Sequence, residues 1–256
     1  MFKSPFYLND YVVDLRGNTN CLGAILTGSY GRCDFDVLSD IDIVVIVKKT
    51  TKNIPHGKYY KDNKLFDVRI ITLKQFLDEW SCEMFFAFWD ERIIYDRQKN
   101  LKQIIAIKKE YWKKEIVGKI INKFVALSVI LEFSDDWRGL KTTTHLSKFL
   151  LRKDYFSAQQ LLSYCFDSIL DLVYLLNIEP YPDSKNKIRL LKGLSWVPWK
   201  NNEELQSLAL FCKFNRNAVI KREKNFSKIK KELIKYTDGQ FNLPVNLYQH
   251  YLENRI

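Results

Sequence analysis

LTGSYGRCDFDVLSDIDIVVIV, residues 26–47, is the stretch around which the rest of this chain is read. It begins at the end of a short apolar run, CLGAILT (21–27), which breaks at Gly28-Ser29. A buried strand that runs into a turn and then a helix has this pattern. It ends in DIDIVVIV (40–47), where Asp alternates with Ile before the run becomes continuously β-branched, a second strand. Glycine lets the backbone approach a ligand closely, and exposed N–H groups beside a hydroxyl hold phosphate oxygens. Gly28 and Ser29 are therefore candidate phosphate-binding residues. Asp40 and Asp42, two apart on a strand, send both side chains to the same face. Two adjacent carboxylates repel unless a cation lies between them. Hard oxygen ligands so placed suit Mg²⁺ that also holds substrate phosphates.

Working outward, Lys48 to Asn63 is polar, contains Pro55 and Gly57, and reads as a loop. KLFDVRIIT (64–72) is a third strand, with Phe66, Val68 and Ile70 on one face and Leu65, Asp67 and Arg69 on the other. If it neighbours the second strand, Asp67 completes a cluster of three carboxylates. Two metal ions about 3.5–4 Å apart can then activate an attacking hydroxyl and stabilise a leaving pyrophosphate. Thr72 is placed to cap a helix over 73–80, and ERIIYD (91–96) reads as a closing strand. Beyond RQKNL (97–101) the pattern turns helical. Long segments cover 101–133 and 155–177, the second with an apolar face through Leu162, Cys165, Phe166, Ile169 and Val173. Further helices are expected over 185–193, 202–221 and 224–236, and Gly239 and Pro244 should turn the tail. The fold class expected is α+β: a mixed-sheet domain over 1–97, then an all-helical bundle over 98–256. The active site is expected to face the cleft between them.

Composition narrows the classes. With 256 residues, 46% of them hydrophobic, the chain can bury a core as one large or two modest domains. No stretch of 18 or more uncharged apolar residues suggests a membrane span. Asp10 and Asp14 interrupt the start before any apolar run builds, which does not read as a secretory signal, so a cytoplasmic location is expected. Five cysteines without a CxxC pair argue against a disulfide framework or a zinc site. The formal charge is +11, and residues 1–100 carry 14 basic and 14 acidic side chains, so the whole excess lies in 101–256. That asymmetry favours an anionic partner such as nucleotide phosphates or RNA.

The order Gly28-Ser29, Asp40-Ile41-Asp42, then Asp67 on a later strand resembles the DNA polymerase beta-like nucleotidyltransferase superfamily. Ser39 before the pair fits as well. The resemblance implies that Asp40 and Asp42 bind two Mg²⁺ ions. It implies that Asp67 binds the catalytic one and helps deprotonate an acceptor hydroxyl, and that Ser29 holds the terminal phosphates of a nucleoside triphosphate, ATP by family habit. In layout the chain is similar to small two-domain nucleotidyltransferases that modify aminoglycoside and lincosamide antibiotics. Some of these take a general base from the helical domain, which makes Glu132, Asp135 and Asp136 candidates here. The turn Leu176–Lys187, with Tyr181-Pro182, resembles one that sets a lysine near the triphosphate, so Lys185 and Lys187 are candidates, as is Arg32 at the phosphate turn. RNA-directed members also need basic surface, and KREKNFSKIKKELIK (221–235) offers one. Other compact members modify or bind a protein or RNA partner as toxin–antitoxin components.

Overall fold

The computed structural model describes residues 6–50, 53–90, 92–130, 145–210 and 213–241. The chain divides into two compact units, Met1–Lys113 and Lys114–Ile256.

The first unit is built on a five-stranded mixed sheet in the order β3-β4-β2-β1-β5. Its strands are β1 (Cys21–Leu26), β2 (Ile41–Val47), β3 (Gly57–Lys61), β4 (Lys64–Thr72) and β5 (Arg92–Asp96). β2 and β4 run parallel, and every other neighbouring pair is antiparallel. Alternation sorts the side chains. Ile41, Ile43, Val45 and Val47 of β2 and Phe66 and Val68 of β4 enter one core, together with Leu8, Tyr11 and Leu15 of α1 (Phe6–Gly17). Those three residues stand at i, i+3 and i+7, a helical stripe that the sequence reading left without a helix. An aromatic cluster gathers α3 (Leu73–Leu77), α4 (Cys82–Ala87) and the start of α5 (Leu101–Ile130). In it Phe76 packs on Trp80 and Phe88, and Phe85 packs on Trp112. Thr72 caps α3 as expected, in a full capping box with Gln75.

The expected loop over 48–63 contains β3. Asp62 and Asn63 both have positive φ, 50° and 58°, and close a two-residue hairpin between Lys61 and Lys64. Asp and Asn tolerate the left-handed region, and a pair of them there matches the twist of the flanking strands. Tyr59 then stacks on Phe66, with ring centroids 5.6 Å apart and planes 8° off parallel.

The second unit is helical: the remainder of α5, α6 (His145–Leu151), α7 (Tyr155–Leu176), α8 (Ser184–Leu190), α9 (Asn202–Ala209) and α10 (Arg216–Phe241). α7 is its central element, buried along Leu162, Cys165, Phe166 and Ile169 and throughout its last turns. The helix expected over 202–221 is instead two helices. Leu210 is extended at φ −95°, ψ 140°, and Asn215 accepts from the Ala218 N–H to start α10 afresh. α10 absorbs the expected 224–236 helix and continues through Gly239, where a turn was expected. A glycine inside a helix costs only about 1 kcal/mol, and buried Phe226, Ile229 and Leu233 anchor the helix over that cost.

Candidate active site

The parallel register of β2 and β4 sets Asp42 opposite Asp67, and the antiparallel register of β4 and β3 sets Lys58 opposite Asp67. One row across three strands therefore reads Lys58, Asp67, Asp42. Because Ile41, Ile43, Phe66 and Val68 take the core beneath α1, the acidic side chains emerge on the other face of the sheet. Asp40 immediately precedes β2 and joins them. One carboxylate oxygen from each of Asp40, Asp42 and Asp67 lies within 4.8 Å of the others, and all three residues are half-buried. The three candidate metal ligands are thus brought together.

Gly28 sits against this cluster. Its φ is +60°, and a Cβ built on it would lie 2.0 Å from Asp42 Oδ2 and 2.8 Å from Asp42 Cγ. A glycine is required here twice over, by the left-handed backbone and by the space that the carboxylate occupies. The two elements are also tied by the backbone, since the Thr27 N–H donates to the Asp42 carbonyl at 2.9 Å. The short helix α2 (Gly28–Arg32) starts at this contact. Three hard oxygen donors converging beside a backbone with no side chain fit a divalent cation that shares its ligands with a phosphate. Among the described residues Lys58 pairs with this cluster, its Nζ 3.4 Å from Asp67 Oδ2 and 3.7 Å from Asp40 Oδ2. Its hydrogen bond and charge contact with Asp67, and then the charge of Asp40, raise its ammonium pKa above the usual lysine value.

Residues 20–136 match the family model of the nucleotidyltransferase domain. The chain carries a nucleotidyltransferase domain. The superfamily resemblance carried by Gly28-Ser29, Asp40-x-Asp42 and Asp67 is borne out, and with the family comes transferase activity. A nucleotidyltransferase-like protein from Exiguobacterium sibiricum 255-15 is similar in structure, at 9% identity and a TM-score of 0.43. The alignment covers 90% of this chain and 76% of that one. No curated protein matches the chain. No helix among the described residues is long and apolar enough to cross a membrane.

Around the three carboxylates the remaining candidates fall in different settings. Ser29 is in the first turn of α2 and half-buried. Arg32 ends that helix. Its guanidinium pairs with Asp34 at 3.2 Å and lies over the Phe86 ring, and its buried Nε has no hydrogen-bond partner among the described residues. Ser39 ties the loop before β2: its hydroxyl accepts from the Asp36 N–H at 2.9 Å and donates to Asp36 Oδ1 at 3.2 Å. In the second unit Lys185 is exposed and pairs with Asp183 at 3.6 Å. Lys187 is 4% exposed, with Nζ 2.9 Å from Asp167 and 2.6 Å from Asp171. Asp171 also takes Lys123 at 2.6 Å, and the Tyr181 ring faces both ammonium groups. Burial pushes Lys187 down, but Asp171 and Asp167 together outweigh it and leave the pKa raised. Glu132, Asp135 and Asp136 lie outside the described residues. Lys58 is the site residue that the sequence reading missed. The signal available was the Asp62-Asn63 pair beside two tyrosines, a hairpin turn next to strand-favouring residues.

Proposed function

We propose that this chain is a Mg²⁺-dependent nucleotidyltransferase that moves a nucleoside monophosphate from a nucleoside triphosphate, ATP in the first instance, to an acceptor hydroxyl. The observation that carries the proposal is the convergence of Asp40, Asp42 and Asp67 with the side-chain-free approach at Gly28. Divalent cations bound by the three carboxylates would supply positive charge to the reacting phosphates and favour ionisation of the acceptor hydroxyl. The protein's own groups do the rest. The α2 backbone from Gly28 and the Ser29 hydroxyl hold the terminal phosphates, and the Arg32 Nε offers a donor to the same group. Asp67 is assigned to the acceptor hydroxyl and helps take up its proton. In-line transfer of this kind rests mainly on positioning and fixed charge.

The acceptor we propose is a small hydroxylated molecule of the aminoglycoside or lincosamide type, which would make the enzyme an antibiotic-resistance determinant. The layout of a sheet domain followed by helices supports it. An RNA acceptor is the second reading, favoured by one observation: the excess charge of +11 falls wholly in residues 101–256. Thermal unfolding of the purified protein with Mg²⁺ and each of the four ribonucleoside triphosphates tests the donor. A ligand at 100 times its dissociation constant adds about 2.7 kcal/mol of stability. A shift that needs both metal and one triphosphate, and is lost in Asp42→Asn, supports the site and names the donor. If no combination shifts the transition, the proposal is wrong.

A further inference from the structure

The row that brings Asp42 and Asp67 together also brings a lysine, and its placement is specified by the fold. The Asp62-Asn63 hairpin pairs Lys61 with Lys64, and from there the register runs without a break to Lys58 opposite Asp67. A slip of one residue would turn Lys58 to the other face and put Tyr59 beside the carboxylate. The stacking of Tyr59 on Phe66 works against that slip. The side chain is 62% exposed, so packing does not force its end toward the acids. The ammonium nevertheless spans Asp67 Oδ2 and Asp40 Oδ2, at 3.4 and 3.7 Å, on two of the three residues that converge as metal ligands.

We propose that Lys58 is a built-in counter-ion of the metal site: it holds the carboxylates together when no metal is bound, and a divalent cation must displace it to bind. Loading the site is then an exchange of one cation for another. Without the lysine, three carboxylates within 4.8 Å of one another would repel and spread. With it, the cluster stays gathered at the expense of metal affinity. This inference rests on the three carboxylates being a metal site, and the role assigned to Lys58 is a positioning one.

Direct Mn²⁺ binding, followed by the loss of the free-ion electron paramagnetic resonance signal, separates the two. One charge removed at this distance in water-like surroundings changes binding about fivefold, and more where the site is partly shielded. Lys58→Gln and Lys58→Met are expected to bind Mn²⁺ about five- to thirtyfold more tightly than the wild type, and Lys58→Arg within about threefold of it. Without metal, the two neutral variants should unfold at a lower temperature than the wild type, and saturating Mn²⁺ should close that gap. If the wild type binds Mn²⁺ and the neutral variants bind it equally or more weakly, Lys58 is not a competitor, and the inference falls while the metal site stands. If neither the wild type nor the neutral variants bind Mn²⁺, the metal site falls and takes the inference with it.

Discussion

Gly28→Ala separates what the Gly28 turn does for stability from what it does for the proposed metal site. A left-handed backbone costs an alanine about 1–2 kcal/mol, and φ at Gly28 is +60°. For a chain of this size each kcal/mol lowers the melting temperature by about 2–4 °C, so a fall of about 2–8 °C is expected. The local effect is larger. The new Cβ would stand 2.0 Å from Asp42 Oδ2, and real Cβ atoms come no nearer than 3.0 Å, so that oxygen must retreat by about 1 Å. With Cγ only 2.8 Å away, turning the carboxylate in place is not enough, and the whole group must swing out of the cluster. A displacement of about 1 Å at a reacting centre costs about a hundredfold in rate. The assay pairs thermal unfolding with Mn²⁺ binding and single-turnover transfer. Gly118→Ala is the control, since a Cβ there meets nothing within 4 Å and sits inside α5, where alanine is favoured by about 0.5–1 kcal/mol. A Gly28→Ala protein that binds Mn²⁺ like the wild type and keeps more than a tenth of its rate would refute the reasoning.

Asp42→Asn and Asp67→Asn should each lower transfer by about a hundredfold or more with little change in melting temperature, because each removes one of three like charges for which Lys58 supplies a single counter-charge. Lys187→Met should destabilise the protein by about 1–3 kcal/mol in urea unfolding, since it takes one of two ammonium partners from Asp171, which is 4% exposed and keeps Lys123, and the double variant with Asp171→Asn should recover part of that loss. Lys187 has a raised pKa in the folded state. Its contribution is therefore complete below the ordinary lysine value of 10.5 and is lost only as pH climbs through the higher folded value. The stability gap between wild type and Lys187→Met should accordingly stay constant from about pH 6 to 9 and narrow above that ordinary value. Thr72→Ala removes the half of the capping box in which the Thr72 hydroxyl accepts from the Gln75 N–H, keeps the bond from its own backbone N–H to Gln75, and should cost about 1 kcal/mol, measured in the same denaturant series.

The parts of the site legible in the sequence are those written in strand periodicity and in a turn that only glycine can make. Asp40-x-Asp42 before a β-branched run, and Asp67 between Phe66 and Val68, state which face each carboxylate takes before any pairing is known. What periodicity cannot state is which strands are neighbours, so Asp42 opposite Asp67 had to be assumed until the parallel β2–β4 register was in view. The misses share a cause. β3 is half-exposed at the sheet edge, so its polar residues carry little apolar signal, and the turn chemistry of Asp62-Asn63 was the evidence that counted. The break between α9 and α10 likewise rests on one capping side chain, Asn215, inside a stretch that is otherwise helical in composition.

Buried charge is the other thing the sequence hides. Lys187 and Arg222 look like members of a basic surface, and in the chain's linear order nothing separates them from solvated neighbours. Their partners come from elsewhere in the sequence: Asp167 and Asp171 for the lysine, and the Leu208 carbonyl, Gln159 and Ser163 for the arginine. Two of the cations behind the +11 count are therefore used up inside the second unit and add little to any field at its surface. Charge in the second half supports a nucleic-acid partner only through those lysines and arginines that stay in water. A salt series on RNA binding reads that number, since each phosphate contact steepens the slope of log affinity against log salt by about 0.7–0.9. For an RNA acceptor held by the exposed face of α10, Lys221→Gln and Lys228→Gln should each flatten that slope by about one contact. If neither does, the basic tract is a solvated helix face, and the acceptor is to be sought among small molecules.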